Sequence, residues 1–249
     1  MKQYFKNYYD SKEGIKEYSE MLELQKPEKV ILKHIKNKRV LDIGIGAGRT
    51  TKFFYPLAKE YIGIDYSEGM INKAKEVFPK ANIFVYDARE MWGFKDNYFD
   101  VIVFSFNGID SVNYEDRLKI LKEIKRVGKR NALFLFSSHN LLSLKKRFIS
   151  IPSNISLSRK LKLLIKKAIT IIINKSFNKI TKSNFIIINH FVKKMILSYA
   201  YINPKYQIEQ LEENGFKNIE TYSIKDGKII KDLNNIQDIW IYYLCKVKK

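Results

Sequence analysis

Three aspartates and a histidine are spaced along this 249-residue chain around a glycine-rich turn. The turn reads Val40-Leu41-Asp42-Ile43-Gly44-Ile45-Gly46-Ala47-Gly48-Arg49-Thr50, with a glycine at every second position from Gly44 to Gly48. Glycine permits unusual backbone angles and lets a ligand come close to the main chain. The dinucleotide fingerprint is G-x-G-x-x-G with an acid about 20 residues later. Here the glycines read G-x-G-x-G, and Asp42 precedes them by two positions. An acid beside the turn disfavours a pyrophosphate and favours a ligand with a cationic head, such as an amino-acid ammonium. Asp65 lies 17 residues after Gly48, placed to accept from vicinal ribose hydroxyls. Its other use would be as a helix N-cap, a role open also to Ser67.

The elements that must hold these residues follow from the apolar pattern. Strands are expected at 39–43, 61–65, 83–86, 99–105 and 132–136, each ending near one of the polar groups. A helix starts after Gly48, and its free N–H groups face the same crevice. A further helix at 114–127 repeats apolar residues at Leu118, Leu121 and Ile124. Asp87 closes the third strand, Phe104 and Asn107 the fourth, and His139 follows the fifth. Carboxyl ends of strands are where open α/β sheets bind ligands. Residues 1–38 form a helical cap with an aromatic cluster of Tyr4, Phe5, Tyr8, Tyr9 and Tyr18. After residue 203 come a helix at 205–213 and two strands, at 216–224 and 239–244.

With these residues in view, Val40 to Thr50 resembles motif I of class I S-adenosylmethionine-dependent methyltransferases. The resemblance covers about 28–140 and 203–248. It implies an α/β, Rossmann-like, seven-stranded, mostly parallel sheet with an antiparallel last strand. It also implies S-adenosylmethionine as cofactor, leaving as S-adenosylhomocysteine. The cofactor-binding residues it points to are Asp42, Gly44, Gly46, Gly48, Asp65, Tyr66, Met70, Asp87, Ala88, Phe104, Asn107 and Tyr9. In the family an acid at the position of Asp87 usually meets the adenine amino group, and the next backbone N–H, here that of Ala88, meets a ring nitrogen.

The resemblance does not cover 141–202. Residues 141–200 hold thirteen lysines and arginines and no acid, out of a net charge of +20. Lysine-rich codon usage explains a basic chain but not the loss of every acid from sixty residues. Alternating apolar and basic residues, as in Leu161-Lys162-Leu163-Leu164-Ile165-Lys166-Lys167, suit an amphipathic helix. The expected organisation is a core of 1–140 and 203–249 with a basic, helical insertion at 141–202 lying over the acceptor site.

Methyl transfer needs two partners positioned and water excluded, and a base if the acceptor is a hydroxyl. His139 is the first candidate base because histidine titrates near neutral pH. His190, in the insertion, and Asp110, just after the fourth strand, are the others; Asn107 suits orienting substrate or cofactor. There is no Asn-Pro-Pro-Tyr or Asp-Pro-Pro-Tyr segment of the kind used by exocyclic-amine methylases of DNA. Cys245 is the sole cysteine, which leaves no Cys-based zinc site and no cysteine mechanism at pyrimidine C5; no metal is expected. The N-terminus lacks an apolar signal segment and no apolar run nears 20 residues, so a cytoplasmic location without a membrane span is expected.

The acceptor read from this is a small anionic molecule, such as a nucleotide- or phosphate-linked sugar of a capsule or polysaccharide pathway, methylated on oxygen, or a phosphate or phosphoramidate oxygen. Ser105 to Asp110 together with Ser137 to Asn140 is similar to methyltransferases of such pathways. The alternatives are an RNA methyltransferase using the basic insertion as an electrostatic platform, and a methyltransferase of a lipid-linked acceptor with a helix at the membrane surface.

Overall fold

The computed structural model describes residues 2–144, 156–174, 183–192 and 195–249. Five parallel strands, β1 (Arg39–Ile43), β2 (Glu60–Asp65), β3 (Asn82–Val85), β4 (Phe99–Phe104) and β5 (Gly128–His139), build most of one sheet. Strand β9 (Trp240–Val247) runs antiparallel between β5 and β8 (Phe216–Ser223), so the order is β3-β2-β1-β4-β5-β9-β8. Neighbouring residues on β1 go to opposite faces: Leu41 and Ile43 pack with Phe99, Ile120, Ile124 and Leu211, whereas Val40 packs with Ile31, Ile35, Phe54, Ile71 and Ala74. The first group includes residues of helices α6 (Tyr114–Val127) and α8 (Pro204–Glu213). The second includes residues of α3 (Glu28–Ile35), α4 (Thr51–Phe54) and α5 (Glu68–Val77). Helices on both faces are why β1 and β4 are apolar on both sides instead of alternating.

The expected seven-stranded sheet is present, and its boundaries differ in instructive ways. Strand β5 begins at Gly128, the residue that caps α6, and runs straight through Ser137 and Ser138 to His139. Ser137, Ser138 and His139, expected just beyond the strand, therefore sit on regular backbone paired with β9. The helix after the glycine turn is a single turn, Thr51–Phe54. Pro56 lacks the N–H needed to prolong it, so any helix dipole at the turn is small.

The insertion departs most from expectation. Its helical part is α7 (Leu157–Asn174), but β6 (Phe185–Val192) and β7 (Met195–Ile202) form an antiparallel two-stranded sheet. A run of Phe185-Ile186-Ile187-Ile188 followed by Tyr199 and Tyr201 on the partner strand favours paired strands over helix, because β-branched and aromatic residues fit the pleated surface. The hairpin is joined to the core by a bridge between Asn140 and Ile202 and by Asn203 N donating to Asn184 O at 2.7 Å. Leu197 and Tyr199 reach the N-terminal cap, where α1 (Lys2–Tyr9) supplies Tyr8 and Tyr9 and α2 (Lys12–Ser19) supplies Tyr18.

That contact generates a prediction. Leu197 is fully buried against Tyr8, so Leu197→Ala opens a cavity worth about 2–5 kcal/mol. Amide hydrogen exchange should quicken in both α1 and the hairpin. Exchange that quickens in the hairpin alone would show that the cap does not rest on it.

Candidate active site

A cavity open to solvent lies at the carboxyl ends of β1, β2 and β4. Its floor is the glycine turn. Gly46 has φ +54°, and a Cβ built there would find nothing nearer than Tyr18 at 3.9 Å and Met70 at 4.0 Å. The residue is required by its backbone angle, not by lack of room. Gly48 is required on both counts: its φ is +96°, and a Cβ would come within 2.7 Å of the Phe78 ring at the end of α5.

Asp65 joins the two sides of the cavity. Its Oδ2 accepts from Gly46 N and its Oδ1 from Ser67 N, both at 2.9 Å. Ser67 is the N-cap of α5, its Oγ accepting from Met70 N at 3.1 Å. Capping thus falls to Ser67, and Asp65 is left facing the cavity. Burial pushes the Asp65 carboxyl up to about 6, against the pull of the backbone N–H groups of Ser67 and Gly46. Ile64, Tyr66, Met70, Tyr86 and Ala88 form an apolar wall beside it, and the buried Tyr66 hydroxyl has no hydrogen-bond partner among the described residues. A flat apolar slot flanked by a hydroxyl-accepting carboxylate fits an adenosine.

Asp42 is placed elsewhere than the sequence suggested. It lies behind the turn, its Oδ2 accepting from Thr50 Oγ1 at 2.6 Å and Tyr61 Oη at 2.9 Å, and it does not line the cavity. Burial pushes it up to about 7, outweighing the Thr50 and Tyr61 hydrogen bonds. Its Oδ2 is tied to the turn, while its buried Oδ1 lacks a partner among the described residues. Asp87 also turns away from the cavity, gripped by Arg89, whose Nε and Nη2 lie within 3.0 and 2.7 Å of its oxygens. Asn107 adopts a left-handed conformation beneath Phe106; its N–H donates to Ser137 Oγ at 2.8 Å, while its buried Oδ1 lacks a partner among the described residues. Of the residues the resemblance points to, Tyr9, Gly44, Gly46, Asp65, Tyr66, Met70, Ala88 and Phe104 line the cavity, and Gly48 does not.

Arg49, Tyr18 and Phe106 line it too. Arg49 stands over the Phe106 ring, 5.1 Å from its centroid, and forms a two-pronged pair with the fully buried Glu28 at 2.5 and 2.7 Å. Glu28 also accepts from Tyr242 Oη at 2.7 Å and from Ser105 Oγ. Arg49 was visible inside the motif itself. Glu28 carried no signal, being one acid in the first turn of an ordinary helix.

The catalytic candidates meet at the rim. Asp110, fully buried in the 3-10 turn Gly108–Ser111, accepts from Arg117 Nη1 at 2.6 Å, Ser138 Oγ at 2.7 Å and His139 N at 2.6 Å. Burial would raise its pKa, but the Arg117 guanidinium and the His139 hydrogen bonds outweigh that and hold it below the usual carboxylate range. An ionised carboxylate can only accept, so the 2.8 Å contact with His139 Nδ1 places a proton on Nδ1, and in the neutral form of the ring Nε2 carries the lone pair. Asp110 is thus enclosed behind His139 and is not itself exposed to an acceptor. The His139 ring packs on Tyr199 and Tyr201 at 5.3 and 4.9 Å and on Trp240 at 6.1 Å, just outside the lining of the cavity. His190 comes to the same tyrosines, its Nε2 3.0 Å from Tyr201 Oη.

With that geometry in place, comparison with known proteins is informative. Residues 40–131 match the family described as methyltransferase domain. The chain's sheet order is that of a Rossmann-like methyltransferase fold. It is 32% identical over 105 residues to the uncharacterized methyltransferase YcgJ of Bacillus subtilis, a match over 41% of this chain and 40% of that one. The chain spans less than half the length of the curated relatives it matches. Among solved structures, the PH0226 protein of Pyrococcus horikoshii has a TM-score of 0.61 at 18% identity, over 99% of this chain and 97% of that one. The 1,6-didemethyltoxoflavin-N1-methyltransferase of Burkholderia thailandensis, solved with S-adenosylhomocysteine bound, has a TM-score of 0.61 at 11% identity, over 100% of this chain and 87% of that one. Likeness at such low identity is a likeness of fold.

The pinned turn has a measurable signature. Asp42 binds its proton more tightly folded, at about 7, than unfolded, at its ordinary value of 3.8. Its contribution to stability is therefore greatest below the lower value and is lost as pH rises through the higher one. Asp42→Asn should flatten the thermal midpoint against pH across that window. An unaltered profile would mean that Asp42 does not titrate as a buried acid.

Proposed function

We propose that this chain transfers a methyl group from S-adenosylmethionine to an oxygen of a small anionic acceptor, with His139 as the general base. The Asp110–His139 pair is the observation that carries the reading. S-adenosylmethionine supplies, when bound, an electrophilic methyl group on a sulfonium. Asp65 accepts the ribose hydroxyls, the wall of Tyr66, Met70, Tyr86 and Ala88 takes the adenine, and Arg49 offers a cation to a carboxylate. Tyr9, Tyr18, Phe106 and the hairpin tyrosines keep water out, which strengthens every charge interaction inside. His139 Nε2 takes the acceptor's proton, and Asp110 stabilises the imidazolium that results. His190, held by Tyr201, is a supporting group in the same roof.

The thirteen cations between 141 and 200 support an anionic acceptor, because a basic surface raises the local concentration of anions. A nucleotide- or phosphate-linked sugar of a surface-polysaccharide pathway suits both that charge and a hydroxyl in need of a base. No helix among the described residues is long and apolar enough to cross a membrane.

S-adenosylhomocysteine should raise the melting temperature of the wild type, and Asp65→Ala should remove the shift. A wild type that melts unchanged with saturating ligand would end the cofactor assignment. His139→Asn should lower methyl transfer from labelled S-adenosylmethionine to a panel of nucleotide-linked sugars by on the order of 10²-fold, with cofactor affinity intact. Transfer undiminished in that variant would clear His139 of the base role.

A further inference from the structure

Helix α7 presents to solvent the kind of surface that proteins normally bury. Leu157, Leu161, Leu164, Ile165, Ala168, Ile171 and Ile172 recur three and four residues apart, which sets them on one stripe of the helix. That stripe is open: Leu157 is 83% exposed, Leu161 59%, Ile165 52% and Ile172 71%. The opposite face is the anchored one. Thr170 is buried. The Asn174 side chain pairs with the main chain of β6, Nδ2 donating to Asn189 O at 3.0 Å and Oδ1 accepting from Asn189 N at 2.9 Å. The leucine and isoleucine stripe is therefore the face turned away from the protein.

Charge decides what can cover it. Lys160 and Lys162 flank the stripe on its two sides, with Arg159 beyond, and the sequence from 141 to 200 contains thirteen cations and no acid. A second copy of the chain would bring two such segments face to face, at a cost in like-charge repulsion. Nucleic acid would satisfy the cations and leave the leucines in water. An anionic lipid surface satisfies both, apolar side chains entering the acyl boundary while the lysines meet the headgroups. The helix is anchored to the strand that carries His190, so a bilayer beneath it would lie close to the roof of the cavity.

We propose that α7 docks the protein on anionic membrane surfaces through this stripe. The inference stands on α7 alone and is independent of the reading of the cavity.

Sedimentation of the full chain with vesicles tests it. Vesicles of phosphatidylcholine mixed with phosphatidylglycerol should carry the wild type down, and phosphatidylcholine alone should not. Leu161→Asp with Ile172→Asp, both at exposed positions and so expected to melt like the wild type, should abolish binding. Lys162→Gln should weaken it about fivefold. Three outcomes would overturn the proposal. One is a wild type left in the supernatant with the anionic vesicles. Another is a double variant that binds as well as the wild type. The third is a concentration-dependent dimer, seen by light scattering, that the double variant dissolves.

Discussion

A carboxylate with no exposure to water needs a charge partner, and at the carboxyl edge of this sheet that carboxylate is Asp110. Its partner, Arg117, is equally buried. Burying one ion without the other costs several kcal/mol, so the pair is bound together. Its remaining hydrogen-bonding capacity sets the local architecture. Arg117 also reaches Gln210 Oε1 at 3.2 Å, Ser138 Oγ at 3.1 Å and Gln207 Oε1. The 3-10 turn after β4, helix α6, the end of β5 and helix α8 thereby meet at one point. His139 inherits its orientation from this network. A loop histidine would sample rotamers; this one is held by a carboxylate at Nδ1 and by aromatic rings on its sides.

A second buried ion pair does the same for the N-terminal cap. Glu28 and Arg49 join α3 to the glycine turn, and Tyr242 and Ser105 add the central strands β9 and β4. The cap is thus coupled to the cavity floor, and Tyr9 and Tyr18 face the cavity from it. Tyr9, hydrogen-bonded to Tyr18 and to Tyr199, continues the coupling into the hairpin. Cap, floor and hairpin are three segments distant in sequence; cap and floor line the cavity, and the hairpin meets the cap through aromatic contacts.

The division of labour in the chain follows from this. The glycine turn and Asp65 sit at the sheet edge and line the cavity. Residues 183–202 add a hairpin whose tyrosines and His190 meet the cap and the His139 ring, and α7 adds a basic, leucine-striped helix. Burial of the hairpin and exposure of α7 are opposite fates for two apolar stretches: the hairpin strands carry no Lys, Arg, Asp or Glu, whereas α7 carries Arg159, Lys160, Lys162, Lys166 and Lys167.

The donor half of the site was legible in the sequence because it is local. Gly44 to Gly48 and Asp65 act through backbone angles and strand ends, and both can be read from short patterns. Seven strands were legible for the same reason, since apolar periodicity reports local burial; the antiparallel direction of the last came from the family resemblance. The parts decided by tertiary structure are those whose partners lie far along the chain. Glu28 acquires a role only when Arg49, 21 residues on, folds against it. Asp42 reads as a ligand for a cation until Thr50 and Tyr61 enclose it, and Asp87 as a base-reader until its neighbour Arg89, held in place by the distant Asp116, closes on it. Phe185 to Ile202 took strand form where a helical insertion was expected, because pairing of two strands depends on both of them at once. Residue types and spacing determined that this chain holds a glycine-turn site on a parallel sheet; burial and long-range charge pairing, which no window of sequence contains, decided which carboxylates face it.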